Sequence, residues 1–203
     1  MATQLLPSSS TTATMVPDRG VRFTRQQYHQ MQDVGIFAVD DRLELIQGVI
    51  LKISPIGAKH ATCVAKLSEI LTLKLASQAL IWVQNPIVLD DGSEPQPDLA
   101  LLQRREDCYA QSLPTPGDIV LLVEVADSSL DYDRQIKIPL YAQAGIPEVW
   151  LVEAQGAIVS RYSQPRRSGY AWIQHYEADD TLSITAFPDI SIKPQDFLPI
   201  SSI

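Results

Sequence analysis

The stretch Gln-Pro-Asp-Leu-Ala-Leu-Leu at residues 96–102 places Asp98 directly before a short apolar run. Such a run, bounded by turn residues, predicts a buried strand, and an ionised carboxylate at its start costs free energy unless it is paired or bound to a metal. A second run, Ile119–Val125, holds Glu124 inside an otherwise hydrophobic sequence. Two acids on two core strands indicate a functional site, because perturbed ionisable groups cluster at such sites.

The composition is that of one folded domain. The chain has 203 residues, and its 45% hydrophobic content is sufficient for a sizeable core. We expect a disordered tail over residues 1–20, which are rich in Ser, Thr, Ala and Pro, and a single domain over residues 21–203. No apolar run approaches the roughly 18 residues that a membrane span needs, and the N-terminus does not look like a signal peptide.

The charge and the cysteines of the chain bear on whether it binds nucleic acid and on the redox state of its compartment. The net charge of -8 argues against broad, unassisted binding of nucleic acid, although divalent cations in an acidic site would offset part of it. Cys63 and Cys108 lack the spacing of a metal site and predict free thiols in a reducing cytoplasm. If the chain binds DNA, the pairs Arg104-Arg105 and Arg166-Arg167 are the basic residues that we expect to contribute.

Hydrophobic periodicity predicts both helices and strands in the first part of the chain. Thr24 is expected to cap a short helix that ends near Met31. Two apolar runs flank Gln47-Gly48 and predict a β-hairpin that ends at Ser54-Pro55. Over residues 57–79, apolar side chains recur at helical spacing and predict a long amphipathic helix.

The second half of the chain continues this alternation. Strands are predicted at residues 80–84, 86–89, 98–102, 119–125 and 148–153. Residues 127–129 offer capping side chains for a helix that runs to Ala144 and is kinked at Pro139. Alternating apolar and polar residues over 157–185 predict antiparallel strands. The fold class is therefore α/β or α+β, built around one mixed sheet.

Polar residues on the predicted core strands are few. They are Glu44, Asp98 and Glu124, and the helix that follows adds Asp133 and Lys137. Lys137 lies two helical turns after the capping residues, so it can fold back beside the Glu124 strand. Carboxylates hold hard cations such as Mg²⁺, which lower the pKa of bound water and stabilise phosphate charge, and a lysine can orient that water. The set therefore indicates metal-dependent phosphodiester hydrolysis.

Each of these residues also has an ordinary structural interpretation. Glu44 could be a solvated strand-end residue, Asp98 could cap a turn, and Lys137 could pair with Asp133 four residues earlier. His60, near the start of the long helix, could be a capping residue or could reach a phosphate or the metal site. Paired carboxylates also serve glycosidases as acid and base, so a sugar hydrolase is a further alternative.

Several short motifs, taken together, resemble one family. They are Glu44–Gly48, Ser54-Pro55 with His60, Pro97-Asp98, Val123–Val125 with Ser128-Ser129, Asp131, Asp133, Lys137, Leu140–Ala142 and Gly145–Trp150. In combination they resemble the restriction endonuclease-like proteins of the PD-(D/E)xK nuclease superfamily, over roughly residues 24–200. The resemblance implies a restriction-endonuclease-like core, in which helices flank a mixed central β-sheet.

The resemblance also implies roles for the residues of the site. The metal ligands would be Asp98, Glu124 and the carbonyl of Val125. Glu44 would support or join the metal shell. The signature lysine of the superfamily normally follows the acid by two residues, where this chain has Ala126, so the resemblance makes Lys137 the candidate on the following helix.

We therefore expect a cytoplasmic, Mg²⁺- or Mn²⁺-dependent DNA endonuclease that forms a homodimer, as related nucleases often do. Its catalytic residues would be Glu44, Asp98, Glu124 and Lys137. His60 and Asp133 are candidates for supporting the substrate or the site. The alternative is a catalytically inactive nuclease-fold protein that acts as a nucleic-acid or protein binding module, which the acidic net charge favours.

Overall fold

A computed structural model describes residues 20–38, 40–53, 56–75 and 77–198. The predicted tail, apart from Gly20, and the predicted end of the hairpin at Ser54-Pro55 lie outside these ranges. Within them, no helix is long and apolar enough to cross a membrane.

Helix α1 (Arg25–Asp33) begins after Thr24, as predicted. The Thr24 hydroxyl accepts a hydrogen bond from the Gln27 N–H at 3.2 Å, and the Gln27 side chain accepts one from the Thr24 N–H at 2.9 Å. This reciprocal capping box satisfies backbone donors that the first turn of a helix cannot pair internally.

The predicted hairpin is also confirmed. Strands β1 (Leu43–Ile46) and β2 (Val49–Lys52) pair antiparallel. At the turn, Gln47 and Gly48 have φ values of 51° and 78°, the left-handed geometry that suits the twist of a two-residue hairpin loop. A side chain at Gly48 is excluded, because its Cβ would lie 2.7 Å from the Cβ of Arg22.

The centre of the fold is a six-stranded mixed sheet, which confirms the predicted fold class. Its strands, in spatial order, are β3 (Ala79–Val83), β4 (Leu99–Gln103), β5 (Ile119–Ala126), β6 (Glu148–Glu153), β7 (Ile158–Arg166) and β8 (Gly169–Tyr176). Neighbouring strands are antiparallel except β5 and β6, which are parallel and are joined by a helical crossover. Outside this sheet lie a 3₁₀ helix (Pro116–Asp118) and a separate antiparallel pair of strands, β9 (Leu182–Ile184) and β10 (Phe187–Ile192).

Helices cover both faces of the sheet and complete two hydrophobic cores. On one face, α2 (Ala58–Leu75) buries Leu67 and Leu71 at the helical spacing that the sequence predicts, and the short α5 (Pro194–Phe197) packs beside it. Burial of one such leucine contributes about 1.5–3 kcal/mol. The helix ends earlier than predicted, because Ala79 already pairs with β4. The other face is covered by the crossover helix after β5.

This crossover helix forms in three consecutive parts. They are α3 (Leu130–Tyr132), a π-helical stretch (Asp133–Lys137) and α4 (Ile138–Gln143). The wide turn lies directly before Pro139, which lacks an N–H and cannot pack closely on the preceding turn. The predicted kink at Pro139 therefore takes the form of a π-bulge. Asp133 and Lys137, at the two ends of the bulge, are both buried.

The prediction of a strand at residues 86–89 is wrong. The N–H of Ile87 bonds to the Pro95 carbonyl, and the N–H of Val88 bonds to the Pro114 carbonyl. Both partners belong to loops, so this segment joins no strand of the described sheet. Tertiary contacts, rather than the apolar composition of the segment, decide its conformation.

Candidate functional site

A pocket of about 420 Å³ opens beside the carboxyl end of β5. Its walls come from the β1–β2 hairpin, the start of α2, the residue before β4, the end of β5 and the crossover helix. These elements bring together all the residues that the sequence predicts for the site: Glu44, His60, Asp98, Glu124, Val125, Asp133 and Lys137.

Lys137 joins two buried glutamates at the base of the pocket. Its ammonium lies 3.2 Å from Oε1 of Glu124 and 3.2 Å from Oε2 of Glu44. The side chains of all three residues are almost fully enclosed, at 7%, 5% and 4% exposure for Lys137, Glu44 and Glu124. Lys137 lies at the end of the π-helical stretch, and β1 and β5 supply the two acids that contact it.

Three further groups orient these glutamates, and sequence analysis missed them. The Tyr141 hydroxyl donates a hydrogen bond to Oε1 of Glu124. The Tyr132 hydroxyl donates to Oε1 of Glu44 at 3.2 Å, and the Gln96 N–H donates to Oε2 of Glu44 at 3.3 Å. A usable signal for one of them was the spacing of four residues from Lys137 to Tyr141, which places both on one helix face.

Asp98 lies immediately before β4 and is held by three donors. His60 Nε2 lies 2.9 Å and Gln84 Nε2 lies 3.2 Å from Oδ1, while the Val125 N–H donates to Oδ2 at 2.8 Å. Burial acts to raise the pKa of Asp98, but these hydrogen bonds and the charge of His60 outweigh it and lower the pKa below its usual value. Asp98 is therefore an ionised carboxylate at neutral pH.

Asp133 lines the pocket and is buried. Burial raises its pKa to about 6, although Lys137 and the hydrogen bond from the Ser129 hydroxyl, at 2.6 Å, both act to lower it. The sequence predicts that side chains of residues 127–129 cap the following helix. Instead the Ser129 side chain donates to Asp133 and makes no capping bond.

In the buried part of the pocket, acidic side chains outnumber the single ammonium of Lys137. Burial raises the pKa of Glu124 well above its usual value, Lys137 only partly opposes this, and Asp133 and Asp98 raise it further. For Lys137, burial lowers the pKa, but Glu124, Glu44 and Asp133 outweigh burial and raise the pKa above its usual value. Lys137 is therefore a permanent ammonium, and the acidic groups around it, Glu44, Glu124 and Asp133, outnumber it.

The donor chemistry of the pocket fits a hard cation. In the described ranges, no group of three or more His, Cys, Asp or Glu side chains is arranged to hold a metal by itself. Mg²⁺ does not need one, because it keeps several waters and is commonly bound through one or two carboxylates. The N–H of Val125 donates to Asp98. Because the N–H and C=O of a strand residue face the same neighbouring strand, the Val125 carbonyl also faces the side of Asp98.

The two arginine pairs do not line the pocket. Arg105 pairs with Asp107 at 2.8 Å, and its guanidinium lies 4.5 Å from the centre of the Tyr109 ring. Arg166 and Arg167 are exposed where β7 turns into β8, beyond the Glu148 end of β6. That end of the sheet lies opposite the pocket.

Comparison with known proteins relates this geometry to one family. No match to the chain was found among proteins with curated functional descriptions. A crystal structure from Anabaena variabilis, described as a "putative nuclease belonging to DUF820", matches with a TM-score of 0.69 at 15% sequence identity, over 87% of this chain and 97% of that chain. This likeness shows that the two chains share a fold. The sequence profile of the Uma2 family, described as "Putative restriction endonuclease", matches residues 25–198, and the chain therefore belongs to that family.

Proposed function

We propose that this chain is a metal-dependent DNA endonuclease that hydrolyses phosphodiester bonds in the pocket at the end of β5. One observation carries the proposal: in an open pocket, several acidic side chains surround a single buried ammonium, which two of them share. Membership of a family described as putative restriction endonucleases supports the same chemistry. The catalytic residues in this proposal are Glu44, Asp98, Glu124 and Lys137.

In this proposal, Asp98, Glu124 and the Val125 carbonyl hold the cation. When bound, Mg²⁺ or Mn²⁺ supplies a water of lowered pKa and stabilises charge on the scissile phosphate. Asp98 is suited to the role because its hydrogen bonds keep it ionised. Glu124 is suited because burial disfavours its ionisation even beside Lys137, so binding of a cation and ionisation of Glu124 favour each other.

Lys137 acts in this proposal as a fixed hydrogen-bond donor. Its raised pKa keeps it protonated at neutral pH, so it does not serve as a general base. Its ammonium can donate to the attacking water or to a phosphate oxygen, where a preorganised donor stabilises developing charge. Glu44 anchors the ammonium, and Tyr132 in turn fixes the orientation of Glu44.

His60 and Asp133 support the site in different ways. His60 positions Asp98, and its buried Nδ1 has no hydrogen-bond partner among the described residues. A phosphate oxygen of the substrate is a partner that this nitrogen can bind when protonated. Asp133 adds negative charge beside Lys137 and so contributes to keeping the ammonium protonated.

The acidic pocket has a consequence for the substrate. Its buried carboxylates repel phosphate, so DNA is expected to enter the pocket only when a divalent cation is present. Arg42 and Lys52 line the outer part of the pocket and are the side chains that would meet the DNA backbone. Lys52 is well exposed and pairs with Asp41 at 2.6 Å, a contact that a phosphate can replace.

We further propose that residues 21–203 act as one catalytic domain in the cytoplasm, and that the chain functions as a homodimer. Cys63 is buried and Cys108 is exposed, and both are free thiols, which fits a reducing compartment.

The test is nicking of supercoiled plasmid and of short single-stranded DNA with Mg²⁺ or Mn²⁺. Wild type is expected to cleave, and Asp98→Ala, Glu124→Gln and Lys137→Ala are each expected to lose at least about 100-fold in rate, since each removes a group that stabilises transition-state charge. Glu69→Gln is the matched control, because it removes an exposed carboxylate from α2 far from the pocket.

Two outcomes contradict the proposal. If all four variants cleave as well as wild type, the activity comes from a contaminant. If folded wild type cleaves nothing with either metal, the chain is instead a binding module that retains the nuclease fold.

A further inference from the structure

The last strand of the central sheet has an open edge with large apolar side chains. β8 pairs with β7 on one side and with no described strand on the other. Trp172 is 58% exposed and Ile173 is 51% exposed. Because successive strand residues point to opposite faces, apolar surface is exposed on both faces of β8. An edge of this kind presents unpaired N–H and C=O groups that can pair with a further strand.

The opposite edge of the same sheet is different. β3 has no exposed residue, and its Trp82 indole donates to the Pro86 carbonyl at 3.1 Å, in the segment that follows the strand. Proteins commonly protect open edges with lysine, proline or inward-pointing charges. The eight residues of β8 include no lysine, proline, arginine or acid. Among the described residues, the β8 edge therefore lacks the usual protection against pairing with another chain.

Charged residues of opposite sign flank the two ends of β8. Arg166 and Arg167 come before the strand, and the residues after it include Glu177, Asp179 and Asp180; all five are exposed. Parallel pairing of two copies of β8 would bring like charges together at each end. Antiparallel pairing brings the basic end of one copy to the acidic end of the other, which is favourable.

Two symmetric antiparallel registers place the two-fold axis at the middle of the strand, and both bring opposite charges together. In a pairing with a two-fold axis at Trp172, Arg167 lies opposite Glu177 of the second copy. In a pairing with the axis at Ile173, Arg167 lies opposite Asp179 of the second copy. Neither register places a charge against the apolar centre of the strand.

We propose that β8 is a homodimer interface, in which it pairs antiparallel with β8 of a second copy and joins the two six-stranded sheets into one. The occupant is a second copy because the strand is complementary to itself in charge and uncharged along its length. The proposal does not rest on nuclease activity, since no residue of β8 lines the pocket. Trp172 and Ile173 become covered by their counterparts, which removes exposed apolar surface from water.

The test measures the mass of the full chain by light scattering and sedimentation, at concentrations up to about 100 μM, where dimers with micromolar Kd are detected. Wild type is expected to be a dimer. Ile173→Lys is expected to be a monomer, because a lysine charges the open edge and faces a like charge near the axis. Leu73→Lys is the matched control: Leu73 is an exposed apolar residue of α2, 77% exposed, and its variant is expected to remain a dimer.

A charge-reversal series tests the orientation of the pairing. Arg166→Glu combined with Arg167→Glu is expected to raise the dimer Kd by at least about tenfold, and addition of Glu177→Arg and Asp179→Arg is expected to restore it. Circular dichroism confirms that each variant is folded. A wild type that is monomeric at the highest concentration overturns the proposal, as does a dimer that survives Ile173→Lys. Failure of the second charge reversal to restore the dimer overturns the antiparallel arrangement. None of these results depends on DNA cleavage.

Discussion

Two glutamates on adjacent strands of the sheet are equally buried but differ in surroundings. Glu124 of β5 is 3% exposed and Glu148 of β6 is 1% exposed. Glu148 accepts hydrogen bonds from the Trp150 indole at 2.7 Å and the Thr185 N–H at 2.9 Å, and it forms an ion pair with Arg161, whose Nε lies 3.1 Å from Oε1. It has its own cation and does not line the pocket.

Glu124 shares its single cation with another glutamate and lies near two aspartates. Lys137 contacts both Glu124 and Glu44, and Asp133 and Asp98 add further negative charge. The comparison shows that burial alone does not identify a functional carboxylate. A buried acid that has its own cation and hydrogen-bond donors needs no further ligand, whereas a buried acid that shares one ammonium with other acids beside an opening is suited to bind a cation.

The largest stability effect is expected at the Glu148 cluster. Arg161→Met leaves a buried carboxylate without its cation, and we expect the free energy of unfolding to fall by about 3–5 kcal/mol. Urea denaturation measures this, with Arg134→Met as the control, because Arg134 forms an exposed pair with Glu153 that contributes at most about 1 kcal/mol. The folded fraction of Arg161→Met should cleave DNA normally. Lost cleavage with unchanged stability would reverse the roles of the two clusters.

A smaller effect on the free energy of unfolding is expected when Asp133 is replaced, and this effect depends on pH. Its pKa is about 6 in the folded chain, against 3.8 as its ordinary value. Between these pH values the folded state holds a proton that the unfolded state has lost, so stability falls as pH rises through this window and then stays lower. Asp133→Asn removes this decrease in stability with pH, and its free energy of unfolding should exceed that of wild type by about 2–3 kcal/mol at pH 8.

The difference between Asp133→Asn and wild type should disappear below about pH 4, where both states of the wild type are protonated. Urea denaturation from pH 4 to pH 8 measures it. Equal stability of the two proteins at pH 8 would show that Asp133 is not destabilised by its surroundings.

The smallest expected effect is stabilisation by the cation itself. At a Mg²⁺ or Mn²⁺ concentration of ten times Kd, binding adds about 1.4 kcal/mol and raises Tm by about 3–5 °C. The increase should be absent in Asp98→Ala and present in Glu148→Gln, which keeps the shape of a carboxylate outside the pocket. A shift in Tm that persists in Asp98→Ala would place the cation elsewhere.

Local sequence patterns were sufficient for much of the fold. The hairpin around Gln47-Gly48 and the buried face of α2 follow from turn chemistry and helical periodicity, which depend on neighbouring residues only. The segment at residues 86–89 was misread as a strand, because its hydrogen-bond partners, Pro95 and Pro114, lie in loops that its own sequence does not reveal.

The residues of the site could be predicted from the sequence only where a local pattern marks them. Asp98 and Glu124 stand out because they interrupt apolar runs. The surroundings of Glu148 are not evident from the sequence, because Glu148 begins its strand, where an acid is ordinarily solvated, and its partners Arg161 and Thr185 come from β7 and from the turn between β9 and β10. Tyr132 and Tyr141 look like core aromatics in sequence, and only the tertiary arrangement shows that their hydroxyls bond the glutamates of the pocket.

The most direct test compares the two glutamates in one assay. Glu124→Gln and Glu148→Gln remove the same charge from equally buried sites on adjacent strands, and plasmid nicking with Mg²⁺ or Mn²⁺ is measured per folded molecule. We predict that Glu124→Gln loses cleavage by at least about 100-fold while Glu148→Gln stays within a few-fold of wild type. Cleavage that survives in Glu124→Gln, or is lost equally in both variants, would contradict the assignment of the pocket as a metal-dependent nuclease site.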